Sequence, residues 1–406
     1  MTADIPANDA NDANDANDAE RTHAAPRFPR FSDAEVARRQ RAVRALMAEQ
    51  GVEALLLYGA PGLDHEVSYL SDFLVSREAL LVFPATGEPL LLVQYYNHVP
   101  TARQMAHQCA VRWGGDDIAL TAAQAAQQRG LASVRLGFAG PLPARHYLAL
   151  QRTLPQATLV DCSAALRQLR LVKSEEELAF LRIGAQLTDR AASALEHGAR
   201  PGMSEHELIA LIEGAYVGQG GQTGIHYLAT TPMARPSACV PAQRPSNRRI
   251  EAGDALIFEI SAQYHGYPGQ LLRPFTIAAE PTPAYQRMYA LAVEVFDAIA
   301  AKLRAGATSD AVLDAAERIH AAGYTIYDDL LHGLGGGYLP PILRTRQTSA
   351  ALPAPFTFAE NMTVVIQPNI ITPDEQSGVQ VGELVRVTRT GIERLHAYPM
   401  RFTRCG

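Results

Sequence analysis

The pattern of the chain changes once, at Leu171-Val172-Lys173-Ser174-Glu175-Glu176-Glu177, and that change calls for two differently built parts. Ser174 and Glu177 stand in capping-box spacing, where each side chain satisfies a backbone N–H of the first helical turn, so a long amphipathic helix opens there. Before this point short elements alternate. A helical period over 33–50 stops at Gly51, residues 54–58 read as a buried strand, and 80–83 and 89–93 bracket a hairpin turn. A helical stretch over 120–128 then precedes a strand at 134–138, which together make an α/β domain of about 130 residues. In the second part Ser204 and Glu207 repeat the cap spacing, and Gly306-Ala307-Thr308-Ser309 opens another helix about a hundred residues on, an echo that predicts an internally duplicated domain with two helix pairs on one sheet.

Residues 8–19 are four tandem Asn-Asp-Ala triplets, too polar to bury surface against the entropy of ordering, so residues 1–30 are expected to be a disordered tail. The remainder divides at 170/171, with the α/β domain over 31–170 and the second domain over 171–406. Hydrophobic residues make up 47% of the chain, enough to fill a core in each. The net charge of −6 carries no long basic run, which excludes a nucleic-acid footprint and leaves a small-molecule substrate as the expected partner. Cys109, Cys162, Cys239 and Cys405 lie far apart, without the paired spacing of a zinc site or disulfide framework, and suit a reducing compartment. No stretch approaches about 18 uninterrupted apolar residues, so no membrane contact is expected and a cytoplasmic location is.

Three stretches of the second part carry a family resemblance. They are Gly253-Asp254-Ala255-Leu256-Ile257-Phe258-Glu259 running on to Gly266-Tyr267 and Arg273, then His332-Gly333-Leu334-Gly335, then Met362 to Pro368 followed by Val385-Arg386-Val387-Thr388. In order and spacing this resembles the pita-bread fold of creatinase, aminopeptidase P, Xaa-Pro dipeptidase and methionine aminopeptidase. The resemblance covers roughly residues 171 to 401, and residues 31–170 are similar to the creatinase-type α/β domain that precedes it. It implies a six-stranded curved sheet embraced by helices, a homodimer, and an active site on the concave face.

The family's peptidases hold two divalent ions with two Asp, one His and two Glu, because such ions need oxygen-rich, partly bridging ligands to activate water. Matched residue by residue, this sequence puts Glu259 at the first Asp, Gln270 at the second, His332 at the His, Gln367 at the first Glu and Gly382 at the last. One carboxylate, two neutral amides and an imidazole cannot neutralise two dications, so neither metal nor another cofactor is expected. Glu383 adjoins Gly382 but points to the opposite face of a strand. Two further histidines of the family correspond to Ala242 and Leu339, which counts against the ordinary Xaa-Pro mechanism.

What remains suits acid/base chemistry. Glu259 and His332 are the expected catalytic pair, the carboxylate fixing the tautomer while the imidazole moves a proton near neutral pH. Gln270 and Gln367, each donor and acceptor, are the expected substrate-binding residues, with His226 as a further contact beside Tyr267 and His265, which strand alternation sends to the face of Glu259 and Tyr264 to the other. Arg273 reads as a structural pairing residue, and the run from Gly333 to Gly337 as close packing behind His332, since it lacks the lysine of a phosphate loop. The leading reading is a metal-independent, creatinase-like hydrolase of a C–N bond in a small nitrogenous metabolite. A lyase using the same base, a pita-bread binding protein without catalysis, and a metal-dependent Xaa-Pro peptidase stay open beside it.

Overall fold

The computed structural model describes residues 27–351 and 354–406, and the Asn-Asp-Ala tract lies outside them. The first helix, Asp33–Gln50, starts at Ser32, whose hydroxyl accepts the Glu35 backbone N–H, and stops at Gly51 in a left-handed conformation. The strands that follow are β1 (Ala54–Gly59), β2 (Ala79–Pro84), β3 (Leu90–Val93), β4 (Ala110–Trp113), β5 (Arg135–Ala139) and β6 (Thr158–Asp161). They form one mixed sheet in the order β4-β3-β2-β1-β5-β6. The expected hairpin is the antiparallel pair β2–β3. Leu55 and Leu57 pack into a core on one face of β1, and Ala54, Leu56 and Tyr58 into another, so helices cover both faces and the strand reads as a continuous apolar run.

The capping box at Ser174 and Glu177 is formed and opens the helix Glu175–Gly198, and the second box, at Ser204 and Glu207, opens Glu205–Gly214. The remaining strands are β7 (Gln222–Pro232), β8 (Asp254–Tyr264), β9 (Tyr267–Ile277), β10 (Leu331–Leu334), β11 (Tyr338–Leu343), β12 (Thr363–Ile366), β13 (Asn369–Ile371), β14 (Gly378–Gln380), β15 (Gly382–Val387), β16 (Ile392–Arg394) and β17 (Thr403–Cys405). Among the described residues their main sheet has nine strands, ordered β11-β10-β12-β15-β9-β8-β7 with β16 on β15 and β17 on β9. Strands β7, β8, β9, β15, β12 and β10 are the six that the resemblance implies, and β11, β16 and β17 add to its edges.

Two helix pairs cover one side of this sheet. Glu175–Gly198 and Glu205–Gly214 pack on β7, β8 and β9, while Pro283–Ala300 and Ser309–Ala321 pack on β10, β12 and β15. This is the predicted duplication, and it leaves the opposite face free for polar chemistry. All four cysteines are buried, unpaired thiols. Among the described residues no helix is long and apolar enough to cross a membrane.

Candidate active site

The helix-free face of the sheet and the Pro61–Val75 segment of the first domain enclose a cavity of about 910 Å³. Strand alternation supplies its floor. On β8, Glu259, Ser261 and Gln263 face the cavity, whereas Phe258, Ile260 and Ala262 pack under the helices. On β9, Pro268 and Gln270 face it, with Gln270 directly opposite Ser261. His332 on β10 and Gln367 just beyond β12 complete the inner polar set.

These four residues meet at one atom. Gln270 Nε2 donates to Glu259 Oε1 at 2.8 Å and to Gln367 Oε1 at 2.9 Å, and stands 3.4 Å from His332 Nε2. An amide nitrogen has two hydrogens, so the two shorter contacts consume both and the imidazole Nε2 keeps its lone pair. His332 Nδ1 lies 3.1 Å from the Gly333 carbonyl oxygen, which assigns the proton to Nδ1 and leaves Nε2 bare. The ring stacks on Tyr338 with centroids 4.1 Å apart. Tyr338 in turn donates to Asp329, which also pairs with Arg344.

Burial moves the two titrating groups in opposite directions. The Glu259 carboxyl is pushed up to about 8 by desolvation, with Asp328 and Asp329 adding repulsion, so it holds its proton at neutral pH. The His332 imidazole is held down to about 4, again by desolvation, against the contrary pull of the Gly333 carbonyl and Asp329. The sequence-based division of labour is thereby corrected. Gly333 fixes the tautomer, Gln270 stands between Glu259 and His332, and it is the carboxyl that carries the proton.

The remaining expected contacts lie elsewhere. Tyr267 faces the long helix, because β8 and β9 are joined by a two-residue turn at His265 and Gly266, both with positive φ. In such a hairpin Tyr264 pairs with Tyr267 and paired residues share a face, so counting alternation straight through the turn gives the wrong side. The Tyr267 hydroxyl donates to Glu177 at 3.0 Å. His265, lifted out of the strand by the turn, is buried near Phe31 and Phe180. His226 bonds the Tyr216 hydroxyl at 2.6 Å on the helix side, while its neighbours Ile225 and Tyr227 reach the cavity. Arg273 is structural as expected: fully buried, it binds Glu383 and the carbonyls of Leu272, Gly382, Tyr398 and Pro399.

Sequence reasoning missed Ser261, Asp328, Tyr338 and His65, all of which line the cavity. Ser261 was within reach, since it follows Glu259 by two on the same strand. His65 was not. It comes from the first domain and lies over Gly337, where a Cβ would stand 2.5 Å from the imidazole. The glycine run therefore admits side chains from the first domain and from just past its end: the Gly336 carbonyl accepts from Arg170, and Gly335 accommodates Lys173.

Two divalent ions do not fit this donor set. Among the described residues no group of three His, Cys, Asp or Glu is arranged to hold a metal. The last ligand position is also filled: a Cβ on Gly382 would meet the Ile366 carbonyl oxygen at 2.5 Å and Gln367 Cβ at 2.8 Å. Glu383 is fully buried on the other side of the sheet between Arg273 and Arg394, which hold its carboxyl below the usual range.

An α/β domain leading into a helix-backed, internally duplicated sheet, with polar residues gathered on the open face, defines a two-domain protein of the creatinase and pita-bread class. The chain belongs to metallopeptidase family M24, whose model matches residues 179–389, and residues 39–172 match the creatinase/prolidase N-terminal domain. The class is that of hydrolases acting on C–N bonds. The chain is 26% identical over 381 residues to a probable dipeptidase of Mycobacterium bovis, covering 90% of this chain and 96% of the relative. It is 24% identical over 358 residues to an uncharacterized peptidase of Bacillus subtilis, covering 86% and 95%. In fold it is similar to the crystal structure of the X-Pro aminopeptidase from Thermotoga maritima, with TM-score 0.78, 19% identity and coverage of 90% and 99%. The Xaa-Pro dipeptidase from Bacillus anthracis superimposes with TM-score 0.76 at 21% identity, covering 91% and 99%.

Proposed function

We propose that the chain hydrolyses a C–N bond in a small peptide-like amide without a two-metal centre, using the first domain, 31–170, as a wall and the second, 171–406, as the reactive floor. The relatives carry peptidase and dipeptidase names, which favours a peptide amide over the guanidino compound of the creatinase branch. The observation that carries the proposal is the pairing of a proton-bearing carboxyl with a bare imidazole around one amide nitrogen in an open cavity. In this reading His332 Nε2 takes a proton from the attacking water, whose oxygen bonds the carbonyl carbon. Glu259 gives its proton to the departing nitrogen as the C–N bond breaks, and the two groups are reset through solvent in the cavity. Gln270 and Gln367 hold the pair at fixed separation and offer their remaining groups to the substrate. The homodimer implied by the resemblance belongs to the same proposal and is read from mass in solution.

The test is hydrolysis of Xaa-Pro dipeptides, their amides and creatine, with and without chelator, beside metal content before and after incubation with manganese, zinc, cobalt and iron. Turnover insensitive to chelator, without stoichiometric metal, is expected. About two ions per chain with metal-stimulated cleavage would sink the proposal. A second reading, a binding protein without turnover, is favoured by the way Glu259, Gln270 and Gln367 satisfy one another. It predicts ligand affinity that survives Glu259→Gln and no cleavage of any amide.

A further inference from the structure

The charge on the cavity wall is one-sided. The carboxyl groups of Asp64 and Asp328 line it beside the protonated Glu259, and among the described residues no lysine or arginine does. Nearby guanidinium groups are committed to other acids, Arg344 to Asp329 at 2.9 Å and Arg170 to Glu66 at 3.0 Å. The two imidazoles on the wall, His65 and His332, stay neutral at physiological pH because burial holds both down to about 4. An anionic group entering here would meet no counter-charge.

Asp328 is the carboxylate best placed to hold a ligand, since Glu259 is occupied with its proton and with Gln270. Its oxygens take only uncharged donors, the Asp329 backbone N–H at 2.8 Å and Gln380 Nε2 at 2.9 Å, so its charge has no ion-pair partner among the described residues. Beside Glu259, Ser261 is 2% exposed and its hydroxyl has no hydrogen-bond partner, a group that an incoming donor would satisfy. Tyr227, Tyr327 and Tyr338 add aromatic rings to the same wall, and aromatic rings attract cations.

Resting on the hydrolase reading of this cavity, we propose that its substrate is a small organic cation: an amide bearing a protonated amine or amidine and no free carboxylate, anchored at Asp328. A dipeptide with a free C-terminal carboxylate is then the poorer ligand. The carboxylate would lose water without gaining a cation, whereas an ammonium or amidinium group replaces its hydration with Asp328 and the polar and aromatic lining around it.

Binding to the full chain is measured by calorimetry with four matched probes: glycyl-prolinamide as the cation, N-acetylglycyl-prolinamide as the neutral form, glycyl-proline as the zwitterion and N-acetylglycyl-proline as the anion. The cation is expected to bind at least about tenfold tighter than the anion, with the gap narrowing as salt rises. Asp328→Asn is expected to remove most of that preference, weakening the cation probe far more than the neutral one. Equal or tighter binding of the anion to the unmodified protein, a result that needs no variant to fold, overturns the inference. Cleavage of the four probes is followed in parallel. Cleavage without charge preference overturns the cationic substrate and leaves the hydrolase reading. Cation-selective binding with no cleavage of any amide overturns the hydrolase reading and leaves the binding inference.

Discussion

At the scale of single residues, the site depends on burial giving Glu259 and His332 opposite protonation states at one pH. If both take part in turnover, activity should rise as His332 loses its proton near 4 and fall as Glu259 loses its own near 8. Glu259→Gln should lower kcat by about 10² to 10⁴ and abolish the alkaline fall, whereas a structural role would shift Tm and leave the pH profile intact. Stability carries the same signature. The Glu259 carboxyl is raised from 4.5 to about 8, so below 4.5 both folded and unfolded chains hold its proton and its contribution is fully present. Between those values the unfolded chain releases a proton that the fold retains, so stability falls with rising pH and levels off above 8. His332 runs the other way: lowered from 6.5 to about 4, it contributes above 6.5 and loses that contribution as pH falls through 4. Denaturant unfolding of Glu259→Gln at pH 5 and pH 8 should show the variant gaining on the unmodified chain at the higher pH, by an amount on the order of a few kcal/mol. A gap that does not change with pH would refute the assignment of a buried, protonated carboxyl.

At the scale of elements, the sheet is where reading the sequence succeeded and where it failed. Capping boxes were legible because Ser174 with Glu177, and Ser204 with Glu207, are local pairs whose geometry needs nothing from the rest of the fold. The floor positions Glu259, Gln270, His332 and Gln367 were legible through motif spacing, and all four line the cavity. Parity across the β8–β9 hairpin was not, because it depends on the length of the turn, and that displaced Tyr267 and His265 to the wrong side. His65 could not be read at all, since only the docking of two domains brings it over Gly337. The same packing logic governs Gly382. Its missing Cβ lies where β15 approaches the Gln367 side chain and the Ile366 carbonyl, so Gly382→Ala should cost about 1–3 kcal/mol through overpacking. Gly382→Glu alone should bind no manganese or cobalt by calorimetry, because Gln367 fills the ligand space and only Glu259 would share the charge. Tight binding of two ions by that single variant would show that a family-type centre is nearly intact here.

At the scale of the whole molecule, the cavity exists only while both domains stay docked, and a single buried cation is central to the joint. Arg39 is fully buried, with its guanidinium 3.7 Å from the Phe31 ring centroid and 4.6 Å from that of Tyr69. It donates to Glu35 at 2.7 Å, to the Tyr69 carbonyl at 3.2 Å and to the Tyr267 hydroxyl at 3.2 Å. Tyr267 belongs to β9 and also binds Glu177 in the first turn of the long helix, so Arg39 ties the first helix to both the floor strand and the second domain's opening cap. Removing the guanidinium strands Glu35 and Glu177 away from water with less compensation, a loss on the order of 3–5 kcal/mol. Trp113, the chain's only tryptophan, lies on β4 and reports the first domain alone, whereas far-ultraviolet dichroism follows the helices of both. In the unmodified chain the two signals should unfold together with denaturant. In Arg39→Ala they should separate, with KM rising because the Pro61–Val75 wall no longer stays seated over Glu259 and His332. Coincident transitions at an unchanged midpoint in the variant would mean that the domains are held by other contacts and that Arg39 is a passenger in the interface.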